Sequence, residues 1–315
     1  LLVFGTESSV DQSKSASLFV KTALKLKPEV RTFEVKEACF GLTAALMIAR
    51  DFVRVHPHQT AIVIGSDIAR YGVGTPGEVT QGAGSISMLI KADPSIVALN
   101  DGHSAYSEDI NDFWRPNFSR VAMVEGKYST QVYLDFFTKT FNAYKKQKNL
   151  KTSDFDAITY HMPFTKMALK ANRIAVEGQD EETTKKLENS FEAAKQLSRR
   201  VGNVYTASLY LSLLSLLENA NLAAGSLVGL FSYGSGAMGE FYSGNLVTDY
   251  ENEIDQAKDM ALLDRRKKLT IPEYEDVFNA ALEDPEDGQE LDSDDEKGTW
   301  YFAGTKDHVR QYKEK

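Results

Sequence analysis

Short apolar runs of strand length alternate with stretches whose apolar residues recur at helical spacing, and this order limits the fold more than any other feature. Leu1 to Phe4, Thr32 to Val35 and Thr60 to Asp67 read as buried strands. After the second of them, Leu42, Ala45, Leu46, Ile48, Ala49, Phe52 and Val53 mark one face of a helix. Ser9 or Asp11 is expected to cap a helix running to about Lys25. The plan recurs later. Ser85 to Lys91, Asp156 to Tyr160, Ser226 to Phe231 and Glu240 to Val247 read as strands, with helical patterns over Ser129 to Lys146, after Pro163, over Glu181 to Arg200, and to Leu217. Such alternation predicts α/β layering around partly parallel sheets. At 315 residues and 42% hydrophobic, the chain can bury one large core or two packed halves. No residue-level repeat accompanies the repeated plan.

Open α/β sheets bind ligands at the C-terminal ends of their strands, so residues there carry the functional reading. Four such ends offer Glu7, Cys39, His161 and Asn203, with a Gly/Ser turn at 234–236. Cys39 is the only cysteine and falls at a strand-to-helix turn, where free backbone N–H groups and the helix dipole are expected to favour a thiolate. The bland alternative is a small buried hydrophobe. A thiolate can hold an acyl group as a thioester, and backbone N–H groups can stabilise the oxyanion. A neutral His or an Asn can donate to a second carbonyl, and a desolvated Glu can act as a base of raised pKa. Acyl transfer on sulfur is the reaction class, and a cysteine hydrolase fits these residue types almost as well.

Other classes are less well supported. One cysteine excludes an intrachain disulfide, and no Cys/His cluster suggests a metal site. No apolar run approaches the ~20 residues needed to span a bilayer, so a cytoplasmic protein without a membrane partner is expected. The net charge of -9 is local: residues 283–296 hold nine acidic and no basic residues, and the remaining 36 acidic residues balance 36 basic ones. No basic field for nucleic acid remains, and the acidic run reads as a solvated loop. Glycines at 72, 74, 77, 82 and 84 match neither a Walker nor a dinucleotide pattern and read as a flexible active-site loop. Trp114, in the aromatic loop Asp109 to Pro116, reads as packing.

Eight ordered segments narrow the choice: Gly5-Thr6-Glu7-Ser8, Glu37-Ala38-Cys39, Ala69-Arg70-Tyr71-Gly72, Thr80-Gln81-Gly82-Ala83-Gly84, Asp112-Phe113-Trp114-Arg115-Pro116, His161-Met162-Pro163-Phe164-Thr165-Lys166, Gly202-Asn203-Val204-Tyr205-Thr206 and Phe231-Ser232-Tyr233-Gly234-Ser235-Gly236. In this order they resemble the 3-hydroxy-3-methylglutaryl-CoA synthase family in its bacterial form, from the first residue to about residue 260 and more weakly beyond. The resemblance implies a thiolase-like α/β fold of two similar halves, 1–150 with Glu7 and Cys39 and 151–315 with His161 and Asn203, in a five-layer αβαβα arrangement, usually as a homodimer. It also implies condensation of acetyl-CoA with acetoacetyl-CoA in the mevalonate pathway, without metal or redox cofactor.

By position, Cys39 resembles the family's nucleophile, Glu7 its general acid/base and His161 the histidine that positions acetoacetyl-CoA. Asn203 and Ser235 would hold the acyl portion, Tyr71 and Thr80 would line its pocket, and Lys166 and Lys170 would meet CoA phosphates. Two departures stand out. The family's further N-terminal segment, with a first strand and a CoA-binding loop, is not in this sequence, which is expected to be an incomplete chain. Glu125 stands where relatives often have Asp; the extra methylene is expected to be absorbed locally, with an altered contact behind the histidine as the alternative. A ketoacyl synthase is the nearest rival and would not need Glu7; a non-catalytic scaffold of the same fold is another.

Overall fold

A computed structural model describes residues 1–119, 121–280, 288–291 and 298–315. The first strand, β1 (Leu2–Gly5), is followed by α1 (Ala16–Ala23), β2 (Thr32–Val35), α2 (Gly41–Val55), β3 (Ala61–Ile68) and β4 (Ala83–Ile90). These strands form one sheet in the order β2-β1-β3-β4, parallel except for β4. Alternation along β1 divides the side chains between two layers. Leu2 and Phe4 pack with Ile64 against Val20 of α1, whereas Val3 and Val63 pack with Leu42, Ala45, Leu46, Ala49 and Val53 of α2.

The chain continues through β5 (Val97–Leu99), β6 (Ser104–Ser107), β7 (Phe113–Trp114), β8 (Met123–Val124), α3 (Gly126–Lys148) and β9 (Ala157–Tyr160). Four helices follow, α4 (Thr165–Val176), α5 (Glu181–Ala194), α6 (Gln196–Val201) and α7 (Ser208–Asn219), and then the hairpin β10 (Leu227–Gly234) and β11 (Met238–Leu246). The second sheet runs β5-β11-β10-β9, with β6 also on β11. Its even-numbered β10 residues Val228 and Leu230 share the core of α2 and α7, while Phe231 and Tyr233 face an aromatic core with α3 and α4. The layers are therefore α1, first sheet, α2 with α7, second sheet, and α3 with α4. Both β5 and β6 precede residue 150 yet pair in the second sheet.

Several boundaries differ from the sequence reading, each for a local reason. Asp11 does not cap α1; it accepts from the N–H groups of Ser13 and Lys14 in a tight turn, and Ser15 is the cap. The stretch 181–200 breaks into α5 and α6 at Lys195. Ser232 to Gly234 extend β10 because they pair with Glu240 to Met238 of the hairpin.

The chain ends with α8 (Gln256–Asp264), α9 (Ile271–Asn279) and the antiparallel strands β12 (Gln289–Glu290), β13 (Trp300–Lys306) and β14 (Val309–Glu314). Tyr312 of β14 packs on Phe19 of α1. Most of the acidic run, 283–287 and 292–296, lies outside the described residues. Among those described, no helix is long and apolar enough to cross a membrane, and no group of three or more His, Cys, Asp or Glu is placed to hold a metal ion.

Candidate active site

Parallel β1 and β2 end side by side, which brings Glu7 and Cys39 together. The Cys39 thiol donates to Glu7 Oε1 at 3.1 Å. Cys39 lies two residues ahead of α2, in a turn where Ala38 has φ 39°. It is buried against Ala69 and Tyr205, with Tyr71 and Phe113 packed on the same cluster. Pairwise, Tyr71, Phe113 and Tyr205 make edge contacts at 5.9 to 6.0 Å.

This setting reverses the expected thiolate. Burial, and then the Glu7 charge, push the Cys39 thiol well above its ordinary value. Loss of water outweighs a helix N-terminus that the sulfur does not directly cap. Glu7 is raised to about 8, first by burial and second by the charge of Asp67, against a smaller opposing pull from its Cys39 hydrogen bond. A carboxyl in that range accepts a proton well near neutral pH.

Asp67, at the end of β3, holds the Glu7 segment in place. Its Oδ1 accepts from Thr6 Oγ1 at 2.7 Å and from the Glu7 N–H at 2.9 Å; its Oδ2 accepts from the Thr206 N–H at 3.0 Å and Thr206 Oγ1 at 2.5 Å. One buried carboxylate thus ties the Glu7 turn to the Asn203–Thr206 segment. The Arg115 guanidinium donates to the Glu7 main-chain carbonyl, adding a positive charge beside the same turn.

Asn203 is orientated through its own side chain. Its Oδ1 accepts from the Tyr205 N–H and Ser208 Oγ, and its Nδ2 donates to Tyr71 Oη at 2.7 Å. The Asn203 N–H donates to the Thr80 carbonyl at 2.8 Å. Gly82 permits this approach, since a Cβ there would lie 2.3 Å from the Val201 carbonyl oxygen. Thr80 turns its hydroxyl back to the Gly77 carbonyl, so its main chain makes the contact to Asn203.

His161 follows β9 and is buried, with its main chain held between the Phe231 carbonyl and the Tyr133 hydroxyl. Its ring lies 6.5 Å from those of Tyr133 and Tyr233. Burial lowers its pKa to about 3, so the imidazole is neutral. Tyr233 leads into the turn with Ser235. Asp112 anchors that turn, accepting from Tyr233 Oη at 2.7 Å, Ser129 Oγ at 3.0 Å and the Gly236 N–H at 3.0 Å. Gly234 sits against the Cys39 turn, where a Cβ would be 2.6 Å from the Glu37 carbonyl oxygen.

Contacts thus join Glu7 to Cys39, Asn203 to Tyr71 and Thr80, and the His161 and Ser235 strand ends to the Cys39 turn through β10. Lys166 and Lys170 are exposed on α4. Lys166 borders a cleft of about 310 Å³ with Thr165, Leu169, Phe191, Lys195 and Arg199. Glu125 is exposed ahead of α3, and its N–H donates to the Asp112 carbonyl. Asp67, Asp112 and Thr206 were not singled out by sequence; the strand-end rule that selected Glu7 also covers Asp67, and Asp112 opens a quoted motif.

Comparison with known proteins agrees along the whole chain. The family described as Hydroxymethylglutaryl-coenzyme A synthase N terminal matches residues 1–95, and its C-terminal counterpart matches 97–189 and 172–315. The hydroxymethylglutaryl-CoA synthase of Enterococcus faecalis is 43% identical, over 90% of this chain and 74% of that protein. A polyketide biosynthesis 3-hydroxy-3-methylglutaryl-ACP synthase of Bacillus subtilis (strain 168) is 31% identical, over 89% of this chain and 71% of that one. Among solved structures, an HMG-CoA synthase complexed with CoA superposes with a TM-score of 0.95 at 42% identity, covering 99% of this chain and 81% of the other. A synthase in complex with 3-hydroxy-3-methylglutaryl coenzyme A gives 0.88 at 35% identity, with 99% and 81% covered. The chain belongs to the hydroxymethylglutaryl-CoA synthase family, with its thiolase-like fold.

Proposed function

We propose that the protein condenses acetyl-CoA with acetoacetyl-CoA and water to give 3-hydroxy-3-methylglutaryl-CoA and CoA, supplying the mevalonate pathway. Its family membership supports the reaction, and the hydrogen bond from Cys39 to Glu7 is the observation that carries the assignment of residues. Cys39 sulfur attacks the thioester carbonyl of acetyl-CoA, its proton passes to Glu7, and the proton leaves on the departing CoA thiol. Glu7, again ionised, takes a proton from the methyl group of acetyl-Cys39. The carbanion adds to the ketone carbon of acetoacetyl-CoA, and the new alkoxide recovers the proton from Glu7. Water then cleaves the thioester and frees Cys39.

Each neighbour has a part in this scheme. N–H groups at the Cys39 turn and Ser235 stabilise the thioester oxyanion. Asn203, Tyr71 and Thr80 shape the acyl pocket, and neutral His161 donates to a carbonyl of acetoacetyl-CoA. Lys166 and Lys170 attract the CoA phosphates. The proposal includes a cytoplasmic homodimer working without metal or redox cofactor, built of two halves at 1–150 and 151–315, the first of which lends strands β5 and β6 to the second sheet.

Intact mass measurement after incubation with acetyl-CoA alone, beside Cys39→Ser, tests the first half-reaction. An acetyl increment absent from the variant is expected. No increment on a folded protein with a reactive thiol would leave a scaffold of the same fold, and an increment without condensation would point to a ketoacyl synthase-like relative.

A further inference from the structure

The turn that carries Tyr71 is held from two sides, and only one side belongs to the pocket. On the inner side Tyr71 Oη accepts from Asn203. On the outer side its main chain depends on Gln81, whose Oε1 accepts from the Tyr71 N–H at 2.6 Å and the Gly72 N–H at 3.2 Å. The remaining polar atom of that amide, Nε2, donates to Tyr274 Oη of α9 at 2.8 Å. Gln81 also bridges to Asn203 through the main chain. One side chain therefore connects the Tyr71 turn, the Asn203 segment and a helix almost 200 residues away.

Among the described residues, few other contacts keep helix α9 there. A capping box between Thr270 and Glu273 forms the helix locally. Tyr274 and Phe278 are its only partly buried residues, four apart and so on one face. Phe278 lies under the Arg70 guanidinium at 5.6 Å, and Arg70 directly precedes Tyr71. Tyr274 also faces the Glu78 carboxylate, which accepts from the Gly74 N–H, so these attachments of α9 all fall on the 70–81 segment that positions one pocket residue. A helix packed only for stability would bury an apolar stripe; here, among the described residues, the polar contacts of one hydroxyl and one ring do the holding.

We infer that Gln81 is a positioning residue for the acyl pocket and that α9 latches it in place through Tyr274. The inference rests on the proposed role of Tyr71 in that pocket. With the latch closed, both Tyr71 and Gly72 amides are engaged and the phenol is aimed at Asn203. With it open, the glycine-bearing turn, in which Gly72 and Gly74 have φ of 98° and 74°, is free to rotate Tyr71 away.

The test uses Gln81→Leu, Gln81→Glu, Tyr274→Phe and the Gln81→Leu/Tyr274→Phe double variant, with kcat expressed per acetylatable Cys39. Gln81→Leu should lower kcat about tenfold and Tyr274→Phe about threefold, with KM for acetyl-CoA little changed, since misplacement acts on the reacting group. The double variant should be little slower than Gln81→Leu, because both break the Gln81–Tyr274 connection and only the Tyr274–Glu78 contact is lost besides. Gln81→Glu keeps an acceptor for both amides but shares the one Tyr274 hydroxyl proton with Glu78, so it should recover part of the rate. Amide hydrogen exchange at Tyr71 and Gly72 should speed up in Tyr274→Phe while the rest of the first sheet stays unchanged. Effects that multiply in the double variant, or unchanged exchange at those two amides, overturn the latch. Should the wild type accept no acetyl group, the catalytic reading of Tyr71 fails, and exchange alone decides the latch.

Discussion

The two strand ends that would face the two substrates are built on opposite principles. At the Cys39 end, carboxylates crowd together: Glu7 touches the thiol, and Asp67 accepts four hydrogen bonds directly behind it. At the His161 end the surroundings are aromatic rings, with Tyr133 and Tyr233 beside the buried imidazole and Phe231 packed on Tyr133. Burial acts on both and moves them in opposite senses, raising Glu7 to about 8 and lowering His161 to about 3. Each shift favours the neutral form, but only Glu7 is brought near the working pH. The first end is equipped to move protons, and the second to offer a hydrogen bond without taking one.

Removing the proton acceptor should separate the ends most sharply. Glu7→Ala is expected to slow acetylation of Cys39, where water can take the thiol proton in its place, far less than condensation, which should fall by about 10³-fold, within the usual range for a general base. Mass measurement of acetyl-Cys39 beside product formation checks it. Condensation within tenfold of wild type would remove Glu7 from its assigned role.

The converse change acts on the other substrate. His161→Ala should raise KM for acetoacetyl-CoA by about tenfold, the worth of roughly one carbonyl hydrogen bond, and change the acetylation rate little. Equal loss in both half-reactions would mean that the two ends are not divided as proposed. Asp67→Asn is a finer cut within the Cys39 end. The Asp67 charge raises Glu7, so its removal should shift the Glu7 inflection in the pH–rate profile below about 8, besides a severalfold loss of rate from the weakened clamp. An unmoved inflection on folded protein would show that Asp67 only braces the turn.

The same contrast explains how much was legible from the residues alone. Glu7, Cys39 and His161 announce themselves because apolar runs stop at or just before them, and strand ends are where sheets present side chains. The sulfur's protonation was not legible: a helix N-terminus favours an anion, yet burial depends on Tyr71, Phe113 and Tyr205, brought in from three distant segments. Asp67 also ends a strand, but its meaning comes from Thr206, 139 residues away. Strands β5 and β6 were missed because they are short and take their pairing from β11, far along the chain. Thus local pattern located the strand ends, whereas long-range packing set their charge.

The smallest expected effect reads the two ends through stability rather than rate. His161 binds a proton less readily when folded than its ordinary value of 6.5 would allow, so its contribution to stability is complete above that value and is lost as pH falls from 6.5 toward 3. Glu7 has the opposite sign. Its pKa rises from 4.5 to about 8 on folding, so its proton stabilises the fold at low pH, and that contribution is lost as pH rises through about 8. The two slopes oppose each other in the wild type and should be separated by substitution. Between pH 7 and 5.5, replacing His161 by Gln should remove a loss of about 1 kcal/mol, making the variant's stability relatively better on acidification. Glu7→Gln should do the reverse, steepening the acid loss. Denaturant titrations of both variants and the wild type at the two pH values check the signs. If His161→Gln left the pH dependence unchanged, the imidazole would be hydrated and free to protonate in the folded protein, and the contrast between a proton-handling end and a neutral one would collapse.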